Sequence, residues 1–361
     1  MPTDLKVLLG DVIKKKASDL HISVGVSPAM RIDGDLNYIH SAGLLTAQEV
    51  EEALRTILSP AQIEKYKETN ELDFSFTYRG NGLEARFRGN AYFESRKPAA
   101  AFRLIPVQIS SIDDLGLPIV LKELSQKRRG LFLVTGPTGH GKSTTLAAII
   151  NEINKTRHDH IITIEDPIEY IYKSDQCLVH QREVGSDTAS FAEGLRRALR
   201  QDPDVLLIGE MRDLDTISAA ITASETGHLV FGTLHTQDAS QSVDRVIDVF
   251  PPHQQSQVRV QLASVLVGIC SQQLIPKGES GGRLCCTELL IANPAVRNCI
   301  REGKTNQIKT LIQTGVSIGM HTMEQSLARF VQKRLISLDI AMTYAYDSKD
   351  LQRILVEQGG I

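Results

Sequence analysis

The chain has 361 residues, length for about two or three domains, with 42% hydrophobic and 23% charged residues. A net charge of −3, 5% aromatic residues and no Trp argue against a dedicated nucleic-acid binder, which carries a basic excess and stacking platforms. No run approaches the roughly 20 apolar residues of a membrane span, and the opening MPTDLKVLLGDVIKKK lacks a signal peptide's apolar core. The five cysteines form no C-x-x-C pair and fit a reducing compartment, so a cytoplasmic protein without direct membrane insertion is expected.

The first third reads as α+β. Asp4–Lys16 carries a helical stripe of Leu5, Leu8, Leu9, Val12 and Ile13. AMRIDGDLNYI predicts a hairpin turning at Asp33-Gly34. Thr46–Tyr66 predicts one helix, with Thr46 as N-cap and Glu49 completing a capping box. ELDFSFTYRGNGLEARFRGNAYFES alternates apolar and polar residues around a Gly-Asn-Gly turn, the pattern of antiparallel sheet. Residues 1–105 therefore form one expected domain. PVQISSIDDLGLP, residues 106–118, breaks both periodicities and reads as a linker.

Residues 119–361 follow a different grammar. LFLVTG is a continuous apolar run, followed by a glycine-rich loop and a helix over Thr144–Lys155. Then come IITIED, a helix over Ser190–Arg200, VLLIGE, a helix over Leu214–Thr226, and LVFGTLHT. Buried strands alternating with amphipathic helices predict βαβ units and a largely parallel sheet. Residues 254–272 and 294–358 read as helical, with a hairpin near GESGGRLCCTELLI between them. A helical subdomain is expected over about 270–361.

Gly136-x-x-x-x-Gly141-Lys142-Ser143 is a phosphate-loop signature between an apolar strand and a helix. Its glycines let backbone N–H groups wrap phosphate oxygens. Nucleotide contacts are expected from Gly136, Pro137, Thr138, Gly139, His140, Gly141, Lys142, Ser143 and Thr144, with Thr144 opening the helix. Lys142 is assigned to the β- and γ-phosphates of ATP and the Ser143 hydroxyl to Mg²⁺.

Later strands end in polar residues, expected at the same sheet edge. They are Glu165, Asp166 and Glu169; then Glu210, Arg212 and Asp213; then His228 and His235. Gly209 stands where an Asp often holds the metal, so Glu210 is read as orienting or deprotonating the attacking water. Glu165 is the second catalytic candidate, and both carboxylates are assigned to the metal through water. The bland alternative is that they are loop or capping carboxylates. His235 is read as sensing the γ-phosphate or bridging to a neighbouring subunit, and His228 as joining it in the nucleotide site.

GPTGHGKSTTLAA, ITIEDPIEY, LRQDPDVLLIGEMRD and TASETGHLVFGTLHT together resemble the secretion ATPase superfamily, which powers type II secretion and type IV pili. They correspond to its Walker A, Asp box, Walker B and His box. Ala17–Ile22, Arg86–Tyr92 and Val246–Pro251 resemble the same family. Relatives that assemble pili or drive secretion usually carry a four-cysteine zinc module. PKGESGGRLCC is short and has no C-x-x-C, which favours the retraction branch. Ala295–Glu302 resembles a helix associated with retraction, departing from its usual wording at Val296 and Cys299. His140 replaces a more usual Ser.

The resemblance implies an N-terminal α+β, PAS-like domain and a C-terminal RecA-like P-loop domain with a helical C-terminal subdomain. It implies a homohexamer that binds ATP between the N-terminal domain of one subunit and the RecA-like domain of the next. Arg88 and Arg103, with Arg96 third, match arginine-finger positions that reach the phosphates. Asp19 and His21 are read either as contacts to the neighbour or as local strand-entry residues. The implied function is a Mg²⁺-dependent ATPase driving type IV pilus retraction. Its implied partners are a membrane-embedded platform protein at the pilus base and related retraction or assembly ATPases, at the inner-membrane pilus machinery. The rival readings are a pilus-assembly or type II secretion ATPase, a nucleic-acid translocase and a non-hydrolysing regulatory subunit.

Overall fold

The computed structural model describes residues 4–32, 34–80, 82–105, 109–278 and 281–357. They fall into two compact units: Met1–Gln108 with Pro167–Ile171, and Ile109–Asp166 with Tyr172–Ile361. Asp33 of the first hairpin, Asn81 of the Gly-Asn-Gly turn and residues 106–108 of the linker lie outside the described residues.

The first unit is a six-stranded antiparallel sheet in the order β3-β2-β1-β6-β5-β4. Its strands are β1 (Asp19–Ser23), β2 (Ala29–Ile32), β3 (Asp35–Tyr38), β4 (Glu71–Gly80), β5 (Leu83–Glu94) and β6 (Lys97–Ile105). Period-2 alternation turns Leu20, Ile22, Met30, Phe74, Phe87 and Phe102 to one face, where they share a core with α1 (Leu5–Lys14), α2 (Ala47–Arg55) and α3 (Pro60–Thr69). The opposite face carries Asp19, Ser75, Arg88 and Arg103.

The single helix expected over Thr46–Tyr66 is two helices. Thr46 and Glu49 form the expected capping box, but α2 ends at Arg55. Ser59 then caps α3 in a second box with Gln62, and Pro60 occupies the first turn. Proline has no N–H to continue a preceding helix and is favoured where a new one starts.

The second unit is a seven-stranded sheet in the order β13-β12-β7-β11-β10-β8-β9. Its strands are β7 (Gly130–Thr135), β8 (His160–Glu165), β9 (Leu178–Glu183), β10 (Val205–Ile208), β11 (Leu229–Leu234), β12 (Leu266–Pro276) and β13 (Arg283–Ile291). Every pairing is parallel except that of β12 with β13. β7, β10 and β11 are buried along their whole length, as strands covered on both faces must be. The helices are α4 (Val120–Ser125), α5 (Lys142–Thr156), α6 (Phe191–Ala198), α7 (Leu214–Glu225), α8 (Ala239–Asp248), α9 (Pro252–Val265), α10 (Pro294–Glu302), α11 (Ile308–Thr314), α12 (Met323–Gln332), α13 (Leu338–Tyr344) and α14 (Ser348–Glu357).

Three expectations change here. α5 starts at Lys142, not Thr144. The helix expected to run to residue 272 stops at Val265, and the chain passes directly into β12. The β12–β13 hairpin belongs to the main sheet, so the all-helical part begins at Pro294 rather than near 270. A continuous apolar run such as LVGIC fits a buried strand and a buried helix equally well, and only a pairing partner decides. β9 was not foreseen, because its half-exposed residues carry no clean alternation. Adjacent Cys285 and Cys286 on β13 face opposite sides of the sheet, and burial pushes both thiols up to about 12. Among the described residues no helix is long and apolar enough to cross a membrane.

β13 buries Glu288, whose Oε1 accepts the Ala239 N–H of α8 at 2.9 Å. Burial pushes this carboxyl up from 4.5 to about 7. As pH rises through that window the unfolded chain gives up the proton while the folded chain keeps it, so stability falls. Glu288→Gln keeps an acceptor and removes the titration. Its melting temperature, relative to the native chain, is expected to climb between about pH 4.5 and 7. Parallel melting curves across that range overturn the assignment.

Candidate functional site

The loop over residues 136–141 joins β7 to α5. It lies against β12: a Cβ placed on Gly136 would fall 2.3 Å from the Gln272 carbonyl oxygen, so only glycine fits. Helices α6, α7 and α8 are capped by the side chains of Ser190, Asp213 and Asp238, whereas α5 follows Gly141 with no side-chain cap. An uncapped helix start presents backbone N–H groups and a positive dipole end to an anion. Lys142 is 8% exposed, and its Nζ donates to the carbonyls of Gly136 at 2.8 Å and Pro137 at 3.0 Å. The ammonium is thus held across the loop mouth. Ser143 and Thr144 sit half-buried on the first turn of α5.

Parallel register brings the carboxyl ends of β7, β11, β10 and β8 to one edge. His235 follows β11, Glu210 follows β10, and Glu165 ends β8. His235 Nε2 lies 2.7 Å from Glu210 Oε1. Its Nδ1 lies 3.3 Å from Thr138 Oγ1 and 3.5 Å from Lys142 Nζ. A carboxylate only accepts and an ammonium only donates, so the ring carries its proton on Nε2 and receives on Nδ1. One imidazole therefore links Glu210 to the phosphate loop. Arg212 pairs with the same Glu210 oxygen.

Glu165 is 8% exposed and accepts from Thr163 Oγ1 at 2.6 Å and Gln181 Nε2 at 3.1 Å. Gly209 sits against the end of β8, its N–H donating to the Ile164 carbonyl at 2.8 Å. A Cβ there would come within 3.3 Å of Glu165 Cα and of the Ile164 carbonyl oxygen. The small residue lets the ends of β10 and β8 close up, and the carboxylate is carried by Glu210.

His228 is not part of this cluster, and its assignment to the nucleotide site is corrected. It precedes β11, its carbonyl accepts the N–H of Gly130 at the start of β7, and its ring faces the Ala223 carbonyl at 2.9 Å. A six-residue strand, Leu229–Leu234, separates it from His235. At ~3.3 Å per residue that is roughly 20 Å, the far edge of the sheet.

Arg88 and Arg103 lie in the first unit as direct cross-strand neighbours. Arg103 Nε donates to Asp19 Oδ1 at 2.8 Å, and Arg88 lies 4.0 Å from Asp73 Oδ1. Asp19 therefore has a partner within its own chain. Arg96 sits with Ser95 in the β5–β6 turn, both at positive φ. Asp213 caps α7. Gln181 on β9 and Gln272 on β12 support the site and were missed; no motif marks them, because their place depends on strand pairing.

Comparison with known proteins gives one family. Residues 2–342 match the model of the type II/IV secretion system protein family. The chain is 48% identical over 338 residues to the type IV pilus retraction ATPase PilT of Pseudomonas aeruginosa, covering 94% of this chain and 97% of that one. It is 47% identical over 325 residues to a twitching motility protein of Neisseria gonorrhoeae, covering 90% of this chain and 86% of that one. A crystal structure of the pilus retraction motor PilT with bound ADP superimposes with a TM-score of 0.90 at 46% identity, covering 97% of this chain and 99% of that one.

Lys142→Ala is expected to weaken ADP binding by about 10- to 100-fold, the value of one charge-assisted contact. His228→Ala is expected to change it by less than about twofold, since this half-buried ring at the far edge of the sheet faces the Ala223 carbonyl and touches no phosphate. Titration with a fluorescent ADP analogue reads both. A large effect at His228 contradicts the placement of the site.

Proposed function

The chain belongs to the type II/IV secretion ATPase family, and from that premise we propose that it is the ATP-hydrolysing motor of type IV pilus retraction. The observation that carries hydrolysis is the line from Glu210 through His235 to Thr138 and Lys142. It puts a carboxylate, an imidazole and a phosphate-binding lysine on adjacent strand ends. The likeness to the retraction ATPase and the twitching motility protein supports the choice of pilus retraction.

In this reading Lys142 and the loop N–H groups of residues 136–144 grip the phosphates of ATP. Glu210 orients the attacking water and draws its proton. His235 touches both Glu210 and the loop, so loss of the terminal phosphate is felt at the carboxylate. Ser143, Glu165 and Glu210 offer hard oxygen donors on neighbouring elements, a set that suits Mg²⁺ shared with phosphate. Ser143 would hold the ion directly and the two carboxylates through water. The ion supplies positive charge against the phosphates.

Arg88 and Arg103 are assigned to the nucleotide of a neighbouring subunit. A loose phosphoryl transition state gains from a cation delivered in trans, and such delivery ties hydrolysis to movement between subunits. The arrangement calls for a homohexameric ring on the cytoplasmic side of the inner membrane, working on a platform protein embedded at the pilus base. The net charge of −3 and the scarcity of aromatics argue against a dedicated nucleic-acid translocase.

Glu210→Gln is expected to lower ATP turnover by about 10²- to 10³-fold with ATP still bound. Turnover is expected to vanish in EDTA and return with added Mg²⁺. Normal hydrolysis by the purified Gln variant would falsify the role of Glu210. Deletion in the parent organism is expected to leave cells with excess pili and no twitching. Bald cells would instead assign the protein to pilus assembly.

A further inference from the structure

We propose that His140 is a positioning residue for nucleotide phosphates, its imidazole pinning the tip of the phosphate loop to strand β12. The proposal rests on reading the loop as the nucleotide site. It starts from the backbone. His140 stands between Gly139 and Gly141, both at positive φ (80° and 82°). Glycines make that conformation accessible, but they also make it entropically expensive to hold. A loop tip built this way needs an anchor from outside.

β12 provides it. The Leu274 N–H donates to His140 Nδ1 at 3.1 Å, and Gln272 Nε2 donates to the His140 carbonyl at 2.6 Å. Residues 272 and 274 are two apart on one strand, so the side chain and the carbonyl of a single loop residue are held from one strand edge. That edge is available because β7 pairs with β12 only as far as Thr135 with Ser271, and there the chain leaves the sheet to form the loop. Beyond that point the His140 ring serves the Leu274 N–H in place of a strand.

A backbone N–H only donates, so Nδ1 must keep its lone pair and the ring proton sits on Nε2. Burial, with the charges of Lys142 and Arg283, pushes the imidazole below its ordinary pKa, which keeps the ring neutral and accepting at neutral pH. A serine hydroxyl at this position falls short of Leu274. An asparagine Oδ1 lies the same number of bonds from Cα as Nδ1 and can replace it.

The test compares the native chain with His140→Leu, His140→Ser and His140→Asn at neutral pH. It reads the Kd for a fluorescent ADP analogue, KM and kcat for ATP hydrolysis, and the melting temperature. His140→Leu and His140→Ser are expected to weaken ADP binding about fivefold, the worth of one hydrogen bond, and to raise KM more than they lower kcat. His140→Asn is expected to recover most of the loss. Equal melting temperatures for the Leu and Asn variants with different affinities separate positioning from simple destabilisation. ADP binding by His140→Leu at native strength, or an Asn variant no better than Leu, overturns the proposal. A native chain that binds no ADP instead removes the nucleotide-site reading, and this proposal with it.

Discussion

The parallel register of β7, β11, β10 and β8 is the constraint on which the site depends. Parallel strands all finish at one edge, so residues scattered over about a hundred positions of sequence arrive side by side. The phosphate loop, His235, Glu210 and Glu165 each leave the sheet at the end of a different strand. None is close to the next in sequence. Their mutual distances come from strand spacing, roughly 4.8 Å between neighbours, and not from any local turn.

Polar contacts then refine what the sheet brings together. His235 links Glu210 to Thr138 and Lys142, and β9 adds Gln181 to Glu165. β12 closes the other side, fitting against Gly136 and bonding to His140. The loop is therefore held at its start and its tip by one strand, and its lysine is held by its own carbonyls. In the function proposed above, such a loop is ordered before its ligand arrives, which lowers the ordering cost of binding.

Much of this was legible in the chain itself. The glycine loop between β7 and α5 is readable because its glycines, lysine and serine are contiguous, and the backbone conformation they need is local. The βαβ grammar was readable because fully buried strands are continuous apolar runs, as LFLVT and VLLI are. The departures have separate causes. Ser59, Pro60 and Gln62 carry the capping chemistry of a new helix inside the continuous stretch Thr46–Tyr66. LVGIC reads as helix or strand alike, because burial alone does not distinguish the two structures. His228 and His235 are both polar residues bounding one strand, yet a strand has two ends and only one faces the loop.

The sequence by itself determined which candidate groups are present: a glycine-rich loop ending in Lys142 and Ser143, carboxylates at Glu165 and Glu210, and a histidine after a buried strand. Those are properties of short segments, set by residue type and backbone freedom. Only the tertiary structure decided which groups touch. The pairing of His235 with Glu210, the support of Glu165 by Gln181, the removal of His228 and the grip of β12 on His140 all follow from strand order. Strand order is settled by burial of the whole sheet between its helices, a balance to which every strand contributes and which no single segment records.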